Sequence, residues 1–480
     1  MTSELVFSDA TELAERIRTK DVSPVEVVQA HLDRSDSINP LINAVVVPNE
    51  SALDQARTAE SAVMTSDPLG PLHGVPFSVK EVFDTEGIRS TRGSLLYADR
   101  VPDADATAVR RLKEAGGIVI GKTNCPEFAL AAETVNDLFG RTLNPWNIDR
   151  TSGGSSGGEA AAISSGLSPL GIGTDLGGSN RLPSHYCNVV GYKPTHGLIP
   201  QTGAWPEIMS RRMHVGPIAR SVRDIALSLV VMSGHDHVDP YALGRGVDEM
   251  PWFGAELPPL RVGMMTEGPF DPVMGQIQDA VRKAGSVLES LGCVVEEADF
   301  DWHERLPIDF TMDMLIVEAD HYFKPFVEGR EEEMSGSIST LLNLPKPSMA
   351  DYLASFDKHD SVSRDVTAFF GDHDLLLLPT SPVTAPPHDS AELDVDGRTA
   401  GAGHAANITA TFGMTGHPAI SVPFGMSSDG LPIGIQLAAG HLNDRILLHA
   451  AASLEAMSET ATARPPLGRQ SSPNSHERKL

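Results

Sequence analysis

Residues 151–200 constrain this chain more than any other stretch. Two glycine-framed serine loops lie within them, Gly153-Gly154-Ser155-Ser156-Gly157-Gly158 and Gly177-Gly178-Ser179. Glycine beside a serine lets the backbone take conformations that other residues avoid, and leaves room for a substrate to reach the hydroxyl. A helix-like run (159–165) and a strand-like run (169–174) separate the loops. Two such loops in one segment point to a pair of hydroxyls brought together for acyl transfer.

The surrounding pattern is that of an α/β protein. Asp9 with Glu12 forms a candidate capping box for a helix through Ile17, and Ser23-Pro24-Val25-Glu26 repeats that logic. Strand-like 74–80 (GVPFSVK) ends in Lys80. A helix at 105–115 stops at Gly116-Gly117 and leads to a buried strand at 118–121. Helical spacing from Ala280 to Leu291 precedes strand-like 293–295, with further short strands at 375–378, 419–423 and 433–437 and a last helix near 444–456. Alternation of this kind predicts a layered α/β fold with a largely internal sheet. Residues 1–463 read as one domain. Within it, 300–360 (rich in Met, Phe and acidic residues) are expected as a helical cap or insert. Residues 464–480 are expected as a Pro/Ser-rich tail with little to bury.

Charge narrows the function. The net charge of −27 repels phosphate backbones and anionic lipid, so neither nucleic acid nor membrane is an expected partner. Three scattered cysteines, Cys125, Cys187 and Cys293, suit a reducing compartment and give no zinc spacing. The first residues lack a charged-then-apolar signal layout, and the apolar runs are too short to span a bilayer. The expectation is a cytoplasmic protein.

An attacking serine needs a base and a set of donors for the oxyanion. Ser179 follows Asp175-Leu176-Gly177-Gly178 at a strand-to-loop turn, where the N–H groups of Leu176, Gly177, Gly178 and Ser179 could converge on one point. Histidine is the default base, yet none of the 17 histidines has a context that aims it at either serine. A buried lysine serves instead if desolvation keeps it neutral. Lys80 at the end of VPFSVK and Lys122 in Gly121-Lys122-Thr123-Asn124 are both candidates. Gly153-Gly154-Ser155-Ser156-Gly157 also fits a Gly-x-Ser-x-Gly nucleophile elbow, but that motif requires a strand directly before it, and 144–150 reads as loop. A phosphate loop is disfavoured too: the Gly-Lys-Ser/Thr ending is missing and Glu159 would repel phosphate. Ser155 then makes most sense as a relay hydroxyl between a lysine and Ser179.

These motifs resemble the amidase signature family, over 74–84, 121–128, most of 151–200, 216–226, 375–387 and 415–438. The resemblance implies a central mixed β-sheet covered on both sides by helices, and a serine–cis-serine–lysine triad. Ser179 matches the nucleophile, Ser155 the bridging serine with its cis peptide to Gly154, and Lys80 the base, which decides against Lys122. Leu176, Gly177, Gly178 and Ser179 match the oxyanion hole, and Ser156, Asp175 and Arg181 the supporting residues. Asn180 departs from the usual isoleucine, and Asn188 from the usual glycine after Cys187.

The implied activity is hydrolysis of a small-molecule carboxylic amide through a seryl acyl-enzyme, extending to anilides, carbamates or esters, with no metal or organic cofactor. Homodimers are common in the family. The alternative is the glutaminase component of a tRNA-dependent amidotransferase. The acidic charge, the 300–360 insert and Leu182, where that component usually has glutamine, count against it. A non-catalytic binding protein on the same scaffold is disfavoured because all three triad residues are present. The acyl pocket is expected from Cys125, Phe128, Met209, Phe310 and Met314, with Tyr322 nearby; the competing reading is that these side chains are plain core.

Overall fold

Near-continuous apolar runs such as LLLLP at Leu375–Pro379 have no polar face to show to water, so they call for cover on both sides. The computed structural model, which describes residues 2–65, 69–208, 212–244, 246–247, 255–298 and 307–467, provides that cover. Eleven strands form one mixed sheet. In chain order they are β1 (Val45–Pro48), β2 (Pro76–Lys80), β3 (Ile118–Thr123), β4 (Leu170–Asp175), β5 (Val190–Lys193) and β6 (His214–Ala219), followed by β7 (Arg261–Met264), β8 (Val294–Glu297), β9 (Leu375–Pro379), β10 (Ala419–Met426) and β11 (Pro432–Ala439). Their spatial order is β1-β3-β2-β4-β6-β5-β10-β11-β9-β7-β8. Every residue of β2, β3, β4, β5, β6 and β11 is buried.

Helices Gly157–Ser164 and Arg181–Cys187 pack together on one face of the sheet. Helices Val222–Met232, Gly275–Ser290 and Asp444–Met457 pack on the other. Strand β6 shows the division. Ile218 joins Ala160–Ile163 in one apolar cluster, while Val215 and Ala219 join Ile225 and Leu229 in the other.

Strands β2 and β4 lie side by side in parallel, with Ser78 opposite Gly171 and Val79 opposite Ile172. Their C-terminal ends therefore open on the same edge of the sheet. Lys80 closes one strand and Asp175 closes the other. That edge is where open α/β sheets place their binding residues.

The Ser23 capping box forms as expected, with Ser23 Oγ accepting from Glu26 N and Glu26 Oε2 accepting from Ser23 N. The Asp9 box does not. Helix Ala10–Arg18 has no side-chain bond from Asp9. Asp224, from a distant helix, accepts from the N–H of Ala10 at 2.7 Å and of Thr11 at 2.9 Å. A tertiary carboxylate has replaced the local cap, a substitution no local pattern signals. Part of 144–150, expected as loop, also pairs: Asn147–Thr151 lies against Leu143–Asn144 in a separate two-stranded hairpin, outside the central sheet.

In the region expected as an insert, helix Pro307–Val327 packs on helix Met349–Asp372 and on helix Asn407–Thr415. The start of the expected tail is docked: the Arg464 guanidinium lies 4.2 Å from the Phe7 ring centroid, and Leu467 packs on the cluster around Ala160–Ile163. Residues 468–480 lie outside the described residues. Among the described residues, no helix is long and apolar enough to cross a membrane.

Candidate active site

The two serine loops meet directly, because Ser156 N donates to Ser179 O at 3.1 Å. The first loop opens helix Gly157–Ser164, all of whose residues are buried. Gly158 permits this approach, since a Cβ there would collide with the Asn124 backbone. The Gly154–Ser155 peptide is cis.

Lys80, fully buried, reaches three hydroxyls from the end of β2. Its Nζ lies 2.8 Å from Ser155 Oγ, 2.9 Å from Ser156 Oγ and 2.9 Å from Thr174 Oγ1. Burial lowers its pKa to about 8, against the opposing pull of Cys125, Asp175 and Glu159. Lys122 is equally buried and is also lowered to about 8 by burial. Its ammonium faces elsewhere, to Phe83 O, Thr85 Oγ1 and Ser90 Oγ. Geometry thus separates two lysines that composition alone leaves equivalent: Lys80 touches the serine loop, and Lys122 holds the turn after β2.

The second loop hangs on Asp175. Its Oδ1 accepts from Gly178 N at 2.9 Å and from Arg181 Nη2 at 2.8 Å, and its Oδ2 from Asn180 N at 3.1 Å and Arg181 Nε at 3.0 Å. Arg181 Nη1 continues to Gln436 Oε1 at 2.8 Å. Burial works to raise the Asp175 pKa, but the Arg181 charge beside it prevails and holds the carboxyl below its usual range. From the other side, Thr409 Oγ1 donates to Gly177 O at 2.7 Å. Gly178 sits at φ +120, where a Cβ would run into Thr409 Oγ1, so glycine is required there.

Of the four expected oxyanion donors, the Gly178 N–H is engaged by Asp175. Among the described residues no acceptor takes the N–H of Leu176, Gly177 or Ser179. These three residues are partly open to solvent.

Behind Lys80, Glu159 is buried between β2 and β3, accepting from Ser78 Oγ and, at 2.6 Å, from Thr123 Oγ1. Burial raises its pKa to about 7. The loop motif alone gave no sign of Glu159, Thr174, Thr409 or Gln436 as neighbours of the site. Three of them come from other elements, and only the folded register unites them.

The expected pocket residues fare differently. Cys125, Phe128 and Met314 are fully buried. Phe128 stacks on Phe323 at 4.9 Å and meets Trp205 edge-on at 4.9 Å, with Tyr97 and Tyr322 completing an aromatic group. The side chain of Phe310, in helix Pro307–Val327, and all of Met209 lie outside the described residues. The Phe128 loop is tied to the helical region by Glu127, which accepts from Ser94 Oγ at 2.5 Å and from Ser335 N at 2.7 Å. Asn188 takes a left-handed backbone, φ 58, at the end of helix Arg181–Cys187. Asparagine tolerates that conformation nearly as glycine does. Its side chain binds Thr460 O, away from the nucleophile loop.

A family model described as Amidase matches residues 26–448. The chain is 34% identical over 473 residues to an acylamidase of Rhodococcus erythropolis, covering 96% of this chain and 98% of that one. It is 33% identical over 491 residues to the GatA-type component of the glutamyl-tRNA(Gln) amidotransferase of Moorella thermoacetica, covering 97% and 99%. Among solved structures, 6-aminohexanoate cyclic dimer hydrolase superposes with a TM-score of 0.87 at 31% identity, covering 96% of this chain and 99% of that one.

Proposed function

Since the chain belongs to the amidase signature family and is a hydrolase of amide bonds, we propose that it cleaves small carboxylic amides through an acyl-enzyme on Ser179. The observation that carries this reading is Lys80 Nζ, fully buried and 2.8 Å from Ser155 Oγ. Neutral Lys80 takes a proton from Ser155 as Ser155 takes one from Ser179. The Ser179 oxygen attacks the carbonyl carbon, and the oxyanion is met by the N–H groups of Leu176, Gly177 and Ser179. The proton returns through Ser155 to the leaving nitrogen, the C–N bond breaks, and water releases the acid by the same route.

The aromatic group around Phe128 and Trp205 favours an apolar or aryl group on the substrate. Helices Pro307–Val327 and Met349–Asp372 act as the cap over it. The likeness to an acylamidase and to a cyclic dimer hydrolase supports acyl amides, open-chain or cyclic, as the substrate class.

The test is labelling by a fluorophosphonate followed by peptide mapping, with turnover on a panel of anilides, short amides, carbamates and esters. Ser179→Ala should abolish labelling and turnover, and Lys80→Ala should slow acylation by about a thousandfold. Wild-type turnover in either variant would sink the corresponding assignment. A second reading, glutamine hydrolysis within an amidotransferase, is favoured by the likeness to the Moorella thermoacetica protein. Glutaminase activity of the isolated chain and co-purifying partner chains would establish it in place of the first.

A further inference from the structure

We propose that Asn180 is a positioning residue that turns the Lys80 lone pair onto Ser155 by dictating where the proton of Ser156 points. This rests on the reading of Lys80 as the base.

The Asn180 amide has one permitted orientation. One end lies 3.1 Å from Tyr192 O and 3.2 Å from Gly216 O, carbonyl oxygens of β5 and β6. Carbonyl oxygens only accept, so that end is the NH2 group, and Oδ1 is the end that faces Ser156 Oγ at 3.1 Å. The other carbonyl near Ser156 Oγ is Thr174 O at 3.4 Å, and it too only accepts. The single hydroxyl proton of Ser156 therefore goes to Asn180 Oδ1 or to Thr174 O. Asn180 offers the shorter bond.

The consequence falls on Lys80. A neutral amine has two N–H donors and one lone pair, and three hydroxyl oxygens surround Nζ. With its proton committed, Ser156 can only accept from Nζ, which occupies one N–H. Thr174 Oγ1 is placed to accept the other. The lone pair then faces Ser155 Oγ at 2.8 Å, the one direction useful to a base. Without Oδ1 at position 180, Ser156 is free to give its proton to Nζ and to cap the lone pair. The amine then has to reorient before each proton transfer.

The experiment is a double-mutant cycle on the full chain, with Asn180→Leu, Ser156→Ala and both together. It is read as the single-turnover rate of Ser179 phosphonylation by a fluorophosphonate, which spans many decades. Asn180→Leu alone should lower that rate by about tenfold, and in the Ser156→Ala background it should change the rate by less than about twofold, because the group it acts through is gone. Equal losses in both backgrounds would overturn the proposal, leaving Asn180 as a mere brace between β5 and β6. So would no loss in either. If Asn180→Leu fails to fold, judged by its melting curve, Asn180→Ala takes its place in the cycle with the same expectations. Lys80→Ala measured alongside separates the two failures: an active Lys80→Ala protein overturns the reading of the base, whereas an inert one with an additive cycle overturns only the role of Asn180.

Discussion

Arg181 grips Asp175 in a two-pronged ion pair, Nη2 to Oδ1 at 2.8 Å and Nε to Oδ2 at 3.0 Å, with both side chains fully buried. The same two carboxylate oxygens hold the backbone of Gly178 and Asn180, so one ion pair fixes the shape of the nucleophile loop. Removing one partner of a buried pair strands the other charge. Asp175→Asn should therefore cost about 3–5 kcal/mol of stability in urea denaturation, together with most activity. An Asn variant as stable as the parent would mean that Arg181 finds a different counter-charge.

Gly178 makes the loop sensitive to a single methyl. Its backbone lies at φ +120 and its Cα faces Thr409. Gly178→Ala should combine backbone strain with a steric clash, costing about 1–3 kcal/mol, and should reduce the rate of Ser179 labelling far more than it changes KM. Replacing Thr409 by Ser in the alanine variant removes one atom of the clash, but not the strain, and should restore only part of the loss.

Glu127 offers a test of the helical cap. It is the buried link that ties the Phe128 loop to Ser94 and to Ser335. Glu127→Ala leaves a buried hydroxyl and an N–H without their acceptor, worth about 1–3 kcal/mol. If the cap forms the substrate wall, the variant should raise KM for aryl amides severalfold. The rate of labelling by a small fluorophosphonate should stay near that of the parent. Unchanged KM across the substrate panel would detach the cap from substrate binding.

Much of this was legible in the chain, for reasons that differ by element. The strands bearing Lys80 and Asp175 announce themselves because a fully buried strand must be apolar throughout, and their loops because glycine has few other reasons to cluster around serine. The Ser23 cap is legible because donor and acceptor lie three residues apart. What escaped was non-local. Asp224 caps a helix at Ala10, and no pattern near Asp9 reveals it. Asn180 looked like a departure of unknown effect. Its meaning lies in the carbonyls of Tyr192 and Gly216, which only the folded register brings within reach. Two lysines with the same burial could be told apart only by what each touches.

The pH profile follows from Lys80 and the charges that face it. Burial lowers its pKa to about 8, while Cys125, Asp175 and Glu159 each pull the other way. The base must be neutral, so kcat/KM should rise with pH through about 8 and level off above it. Glu159 is the adjustable partner. Its carboxyl, raised by burial to about 7, is an anion where Lys80 titrates, and an anion stabilises the ammonium. Glu159→Gln keeps an oxygen for one of Ser78 and Thr123 and offers an N–H to the other, so the packing between β2 and β3 is retained while the charge is lost. The ammonium then loses a stabilising neighbour, its pKa falls, and the acid limb of kcat/KM should move to lower pH. The stability change carries its own sign. A carboxyl with a raised folded-state pKa contributes stability below its unfolded pKa and loses it as pH rises through about 7. The glutamine variant should therefore match the parent most closely in acid and gain on it as pH rises past neutrality. Urea denaturation at a series of pH values checks this half, and the kcat/KM profile checks the other. An acid limb that stays in place, or moves up, would show that Glu159 does not set the charge state of Lys80.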